Sequence, residues 1–242
     1  MEKLKDKFYK NEKLKENPEL SQYIPETYTY SEEDLRKMLT KYMEIIIKPK
    51  HGAKGIGITK ISKVREDEYK VQIKDHKFII NGIDSLCQYF EEKLQEKKHS
   101  YIVQYCIPLA KVDGKIFDIR YIVQRKRSSN EWVVTAMQAK RALVDRFVTN
   151  LKMGGRHYTV EQAFEGSGIE NVEEVKRNIE RVLLLASEWL GEEFKGHRIW
   201  GFDIGVDEFG AIFIIEVNSH PGLKSFRWRN YRHMYRVIQE YR

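Results

Sequence analysis

A chain of 242 residues has ample length to bury a core, as one large domain or two small ones. Hydrophobic content of 41% and charged content of 33% read as globular rather than disordered, and no apolar run approaches a membrane span. The net charge of +7 favours anionic ligands without choosing among nucleotide, nucleic acid and membrane surface.

Residues 1–20 are lysine-rich and read as helix of weak periodicity, without the apolar segment of a signal peptide. Ile24-Pro25-Glu26-Thr27 interrupts them. Ser31, with Asp34 three positions on, starts a helix whose buried stripe is Leu35, Met38, Leu39 and Tyr42. Met43–Pro49 reads as a strand. His51-Gly-Ala-Lys-Gly-Ile-Gly57 follows, and Ile58–Val64 is extended again. Three glycines in this segment, at 52, 55 and 57, suit a tight hairpin whose N–H groups could cradle phosphate, or simply a turn. It is neither a Walker A loop nor a GxGxxG fingerprint. Glu68–Ile80 alternates as a hairpin, Asp84 caps a helix with Leu86, Phe90 and Leu94, and Tyr101–Ile107 is a buried strand. Cys87 and Cys106, without CxxC or Cys/His spacing, read as reduced, buried thiols of a cytoplasmic protein.

In Lys115–Gln124, Phe117, Ile119, Tyr121 and Val123 form an apolar face, and Asp118 and Arg120 project from the other. These two read as a surface ion pair, or as an arginine aimed at phosphate or carboxylate. A turn over Arg127–Asn130 leads to the strand Trp132–Ala139, which ends at Lys140 and Arg141. Asn150-Leu-Lys-Met-Gly-Gly155 is loop. Asn171 caps a helix with the stripe Val175, Ile179, Val182, Leu183, Ala186 and Leu190.

Arg198–Gly222 is a hairpin about Asp207-Glu208-Phe209-Gly210. With Val206 facing Ala211, Asp203 lies opposite Ile214, and Asp203, Glu216 and Asn218 share one face beside Gly201 and Gly205. The other face then carries Phe202, Ile204, Val206, Ala211, Phe213, Ile215 and Val217, all apolar and read as core. Two carboxylates and an amide suit Mg²⁺, although a solvated polar face and a slipped register are also open. Phe226–Arg242 reads as a docked amphipathic helix with Trp228, Tyr231, Tyr235 and Ile238 at helical spacing.

In this order, Lys48-Pro49, the 51–57 glycine segment, Gln104–Ile107, Asp118-Ile-Arg120, Arg141, Asn150-Leu151 with Gly154-Gly155, Asp203 and Glu216-Val-Asn218 resemble the ATP-grasp superfamily. The nearest likeness is to its YheC/YheD-type branch, associated with spore-forming bacteria, with Lys7-Phe8 and Pro25-Glu26-Thr27 echoing that branch. The resemblance implies an α+β ATP-grasp fold, two α+β subdomains whose antiparallel sheets grip the nucleotide. It divides the chain into a helical lead-in (1–30), a subdomain with the phosphate-covering loop (31–107) and a subdomain with the Mg²⁺-binding hairpin (108–242).

By position in the family pattern, Lys48 and Lys7 contact ATP phosphates, Gly52, Gly55 and Gly57 cover them, and Gln104 with the backbone of Tyr105 and Ile107 reads adenine. Asp203, Glu216 and Asn218 hold Mg²⁺. Arg120 and Arg141 stabilise the transferring phosphate or hold an acidic substrate, and Asn150 belongs to the lid loop. The implied activity is ATP-dependent ligation of a carboxylate through an acyl phosphate, with a peptide among the substrate candidates. A small-molecule kinase and a non-catalytic, nucleotide-binding spore-coat assembly protein are the alternatives. Family members usually carry a further domain ahead of this pattern, which here begins near residue 1. Either that domain is lost, or a partner chain supplies it, or a homo-oligomer completes the acceptor site; membrane association is not expected, and nucleic acid is a distant candidate.

Overall fold

The structure, a computed structural model, describes residues 2–51, 56–143, 147, 149 and 156–242. The chain begins with α1 (Glu2–Lys5) and α2 (Lys7–Lys15), which Asp6 caps by accepting the Tyr9 N–H at 3.0 Å. Leu14 and Leu20 are wholly buried in the same hydrophobic cluster as strands and helices from residues 108 onward, and Trp189 Nε1 donates to the Lys13 carbonyl at 2.8 Å. Rather than standing apart as a lead-in, residues Met1–Ile24 belong to a compact unit with Pro108–Leu143 and Thr149–Arg242. The weak periodicity of this segment hid that role.

The other unit is built around Pro25–Ile107. It comprises β1 (Thr27–Thr29), α3 (Glu32–Lys41), β2 (Glu44–Pro49), β3 (Thr59–Arg65), β4 (Glu68–Ile73), β5 (His76–Asn81), α4 (Ile83–Leu94) and β6 (Tyr101–Tyr105). Its strands form an antiparallel sheet in the order β1-β6-β2-β3-β4-β5. Tyr30, Leu35, Met38, Leu86 and Phe90 from the α3 and α4 layer are buried against Ile45, Ile47, Ile61 and Val71 of the sheet. Ser31 caps α3 as expected, its Oγ accepting the Asp34 N–H at 3.0 Å. Asp84 does not cap α4: the helix starts after Gly82 without a side-chain cap, and Asp84 instead accepts from Arg36 at 2.6 Å.

Gly57, the last residue of the glycine segment, has φ +78°, and a Cβ there would stand 2.9 Å from Pro49 Cγ. Gly57→Ala is therefore expected to cost about 1–2 kcal/mol from the left-handed backbone alone. Urea unfolding of the variant measures it, and an unchanged midpoint would remove the backbone argument.

The remaining elements are β7 (Lys111–Val112), β8 (Lys115–Gln124), β9 (Val133–Arg141), β10 (Arg156–Tyr158), α5 (Val160–Glu165), α6 (Val172–Glu193), β11 (Ile199–Val206), β12 (Ile212–Asn218) and α7 (Arg232–Glu240). They build a second antiparallel sheet, β10-β9-β8-β11-β12, with β7 added to β8. One face of it packs Phe117, Ile119, Tyr121, Phe202 and Ile204 against Ile179, Val182, Leu183, Ala186 and Leu190 of α6, the stripe read from the sequence. Asn171 occupies the N-cap position of α6, but its side chain makes no capping bond.

The opposite face is covered only in part. Ile122 and Ala136 meet Leu223, Phe226, Tyr231 and Ile238 of the C-terminal segment. That segment is two short 3₁₀ turns followed by α7, not one helix, so Trp228 lies off the helix and is 56% exposed. The rest of this face carries charged side chains. Among the described residues no helix is long and apolar enough to cross a membrane.

Candidate functional site

The hairpin of β11 and β12 brings two carboxylates directly opposite each other. Asp203 pairs with Glu216 and Gly201 with Asn218, so all three expected ligands share a face. The register differs from expectation throughout: Asp203 lies opposite Glu216, not Ile214, a shift of two residues that keeps parity, and from Ile204 to the turn the shift is one residue. A bulge at Ile215 leaves Ile204 opposite Ile214 and Val206 opposite Ile212, so Ile212 and Ile214 enter the core while Ala211, Phe213 and Ile215 do not. The bulge shifts the parity of the strand's outer half and keeps Glu216 and Asn218 where the site needs them. Gly201 must be small because a Cβ would come within 2.5 Å of Pro221.

Strands β8 and β9 supply cations to the same face. Asp203 lies opposite Arg120, and Asp118 lies opposite Lys140. Arg120 grips Asp203 through both carboxylate oxygens, Nε to Oδ1 at 2.6 Å and Nη2 to Oδ2 at 2.7 Å. Lys140 bridges the two acids, at 2.9 Å from Asp118 and 3.0 Å from Asp203. Thr149 donates a further hydrogen bond to Asp118. Asp118 and Arg120 thus pair not with each other at the surface but with partners on neighbouring strands, in a mostly buried network.

Burial pulls on every group in this network. It would raise the Asp203 carboxyl, yet the charges and hydrogen bonds of Arg120 and Lys140 prevail and hold it well below the usual carboxylate range. Asp118 is pushed up, first by burial and then by the charge of Asp203, with Lys140 opposing. Burial likewise disfavours charge on Arg120 and Lys140, but the acids hold both above their ordinary values. Asp203, Arg120 and Lys140 are thus held toward their charged forms, and Asp118 is the member pushed the other way.

Glu216 is paired too: Lys7 Nζ stands 2.8 Å from its Oε1. Lys10, one helical turn along α2, is wholly buried and donates to the carbonyls of Leu4 at 2.8 Å and Asp6 at 3.0 Å. Burial lowers its pKa to about 8, against the pull of Glu216 and Asp6. The Nδ2 of Asn218 is buried without a hydrogen-bond partner among the described residues.

These donors fit Mg²⁺. They are hard oxygens on one face, and Asp203, with three of about four lone-pair positions accepting hydrogen bonds, retains one at Oδ2.

Arg141 is not brought to this cluster. It lies opposite Phe117, one position along from Lys140, and so leaves β9 on the other face. There its Nη1 contacts Asp113 at 2.7 Å, and its guanidinium lies 5.1 Å from the Tyr158 ring centre. Asn150, Gly52 and Gly55, with Leu151, Gly154 and Gly155, lie outside the described residues.

In the Pro25–Ile107 unit, Lys48 Nζ donates to Gln104 Oε1 at 2.7 Å, and Gln104 Nε2 donates to Thr27 Oγ1 at 2.7 Å. Thr27 in turn donates to the Pro25 carbonyl at 2.7 Å. Gln104 is 4% exposed, so both ends of its amide are committed inside the unit, and the Tyr105 N–H is committed to the Glu26 carbonyl at 2.9 Å. Ile107 lies past the end of β6. Gln104 therefore anchors Lys48. Gln104→Leu, which leaves two hydrogen-bonding groups without this partner, is expected to cost about 1–3 kcal/mol in urea unfolding. No change in midpoint would show that the anchor is dispensable.

The sequence reading missed Lys140 as a functional candidate. The hairpin register about Arg127–Asn130 pairs Gln124 with Val133 and by itself would set Ala139 opposite Asp118; a bulge between Ile122 and Val123 brings Lys140 there, so the sequence carried no signal for it.

A model of the family described as "YheC/D like ATP-grasp" matches residues 2–242. The endospore coat-associated protein YheD of Bacillus subtilis (strain 168) is 27% identical over 225 residues, covering 91% of this chain and 49% of that protein. The chain thus spans about half the length of this curated relative. The VanG D-Ala:D-Ser ligase from Enterococcus faecalis aligns with a TM-score of 0.54 at 17% identity, covering 97% of this chain and 57% of its own. N5-carboxyaminoimidazole synthase from Aspergillus clavatus, solved with ADP and 5-aminoimidazole ribonucleotide, aligns with a TM-score of 0.57 at 14% identity, covering 100% and 52%. The fold shared with these enzymes is ATP-grasp, α+β with antiparallel sheets.

Proposed function

The chain belongs to the YheC/D-like ATP-grasp family, and from that membership we propose that it is an ATP- and Mg²⁺-dependent ligase that activates a carboxylate. The observation that carries this reading is the directly opposed Asp203–Glu216 pair, flanked by Arg120, Lys140 and Lys7 on one sheet face. That two solved enzymes of the fold are named ligase and synthase, one of them bound to ADP, supports it.

On this reading Lys48 meets ATP phosphates, with Gln104 positioning its ammonium, and Lys7 serves as a second phosphate lysine. Gly52, Gly55 and Gly57 cover the phosphates, and the backbone around Tyr105 and Ile107 faces adenine. Asp203, Glu216 and Asn218 hold Mg²⁺, which when bound neutralises phosphate charge. Arg120 and Lys140 offset the charge of the transferring phosphoryl group, and Asn150 closes the lid; the role first given to Arg141 passes to Lys140, which lies on the correct face.

The substrate carboxylate oxygen attacks the γ-phosphorus, forming a C(O)O–P bond as the bond to the ADP oxygen breaks. An amine then attacks the acyl carbon, forming C–N, losing a proton and releasing inorganic phosphate. The protein's work is positioning and charge neutralisation. A cytoplasmic site of action, where ATP and Mg²⁺ are at hand, goes with this chemistry.

The test combines melting with ATP, Mg²⁺ or both and ADP release on adding pooled carboxylates and amines. Ligand binding to the native state raises Tm by mass action, and a shift requiring both ATP and Mg²⁺, followed by substrate-dependent ADP release, is the expected result. No shift in any condition sinks the nucleotide site. A shift without turnover favours the second reading, a nucleotide-binding coat component, which the coat-associated name of YheD supports.

A further inference from the structure

Beside the charged face, and within the same unit, lies a cavity of about 440 Å³. Its lining includes Arg156 and His157 of β10 and Trp228, Arg229 and Tyr231 of the C-terminal segment. Strand β9, which carries Lys140 of the network, is the neighbour of β10. His157 is the cross-strand neighbour of Lys140, whose ammonium bridges Asp118 and Asp203, so the cavity's inner wall and the charged face are adjoining parts of one sheet surface. Along the same strand, Gln138 lies opposite Arg120 and is almost wholly buried.

The lining has two kinds of chemistry. Arg156 and Arg229 are both exposed, and among the described residues neither makes an ion pair or a side-chain hydrogen bond. Their planar donor forks match a carboxylate. The same lining holds flat apolar surfaces: Trp228, more than half exposed, and Tyr231, buried. The Trp228 ring meets His157 edge-on, with centroids 4.3 Å apart, and His157 Nδ1 is buried without a partner. Burial and then the charge of Lys140 keep that imidazole neutral near pH 7. An exposed indole edge-on to an imidazole whose buried nitrogen is unsatisfied, in a cavity that also holds two guanidiniums, points to a ligand.

We propose that this cavity binds the organic substrate, a small carboxylic acid on an aromatic or apolar body, with Arg156 and Arg229 on the carboxylate and Trp228 and Tyr231 on the body. This identifies the substrate class of the ligase reading above and rests on it for the cavity's role, though not for binding itself. The volume lies within the range of small-molecule sites and accommodates a molecule of amino-acid or dipeptide size.

The probe is a panel of the twenty N-acetyl amino acids and their neutral amides, titrated by calorimetry into the whole chain with and without Mg·ATP. Aromatic and apolar acids are expected to bind saturably, and their amides at least about tenfold more weakly, the step that corresponds to one lost charge-assisted contact. Arg156→Ala with Arg229→Ala, and separately Trp228→Ala, are expected to weaken the acids about tenfold or more with Tm unchanged, since these side chains are exposed. Arg156→Lys with Arg229→Lys is expected to restore part of the affinity. The proposal is overturned if no acid binds saturably, if acids and amides bind alike, or if the arginine and tryptophan variants bind as the wild type does. Acid binding without any Mg·ATP-dependent melting shift removes the ligase reading and leaves the cavity; a Mg·ATP shift with no acid binding does the reverse.

Discussion

Replacing Asp203 with alanine is expected to destabilise the protein by about 3–5 kcal/mol, because it strands two cations in a low-dielectric setting. Arg120 loses both of its carboxylate contacts and Lys140 one of its two. The corresponding fall in Tm is on the order of 10 °C. The carboxylate is a structural counter-charge as well as a candidate ligand, so loss of function in this variant is expected to come with loss of stability. A double-mutant cycle with Arg120→Ala isolates the pair, and a coupling of roughly 0.5–3 kcal/mol is expected. Unchanged urea midpoints for Asp203→Ala would mean that water reaches the network and screens it.

Glu216→Ala should behave in the opposite way. Its carboxylate is about a quarter exposed and paired with one equally exposed lysine, an interaction worth at most about 1 kcal/mol. Stability is therefore expected to hold, while the melting shift with Mg·ATP, about 2.7 kcal/mol of apparent stabilisation at a hundredfold excess over Kd in the wild type, disappears. ADP release is expected to stop with it. Retention of both the shift and turnover in Glu216→Ala would remove Glu216 from the metal site and leave its pairing with Lys7 as its function. The two variants separate the roles of two acids that face each other across one strand pair.

A pH effect follows from His197, whose Nε2–H donates to the Ile199 carbonyl at 2.6 Å. Burial is the largest influence on it and lowers its pKa from 6.5 to about 4. Between those values the unfolded chain binds the proton that the folded chain refuses, so stability is full above pH 6.5 and declines as pH falls toward 4. Urea midpoints from pH 7.5 to 4.5 should show that decline, and His197→Gln should flatten it. A decline of equal steepness in the variant would assign it to other groups, His157 first among them, since burial lowers its pKa to about 4 as well.

Much of the fold was legible because it is written in local periodicity. The α6 stripe and the alternation of β8 and of the β11–β12 hairpin need only neighbouring residues to be read, and they set Asp203, Glu216 and Asn218 on one face, while the resemblance of the ordered motifs to the ATP-grasp superfamily supplied the fold. Side-chain alternation along each strand is dictated by the backbone, and that grouping held because the assumed register was off by two residues at Asp203, a shift that keeps parity, and by one only from the bulge to the turn. What only the tertiary structure decided was which charges meet. The choice of Arg120 for Asp203 and of Lys140 for both acids depends on strands β8, β9 and β11 lying side by side, contacts that span as many as 83 residues. The loss of Arg141 to the far face, the commitment of Gln104 to Lys48 and the placing of Trp228 over His157 have the same origin. A single sequence records what each segment buries, whereas the energy of a buried charge depends on partners that only long-range packing supplies.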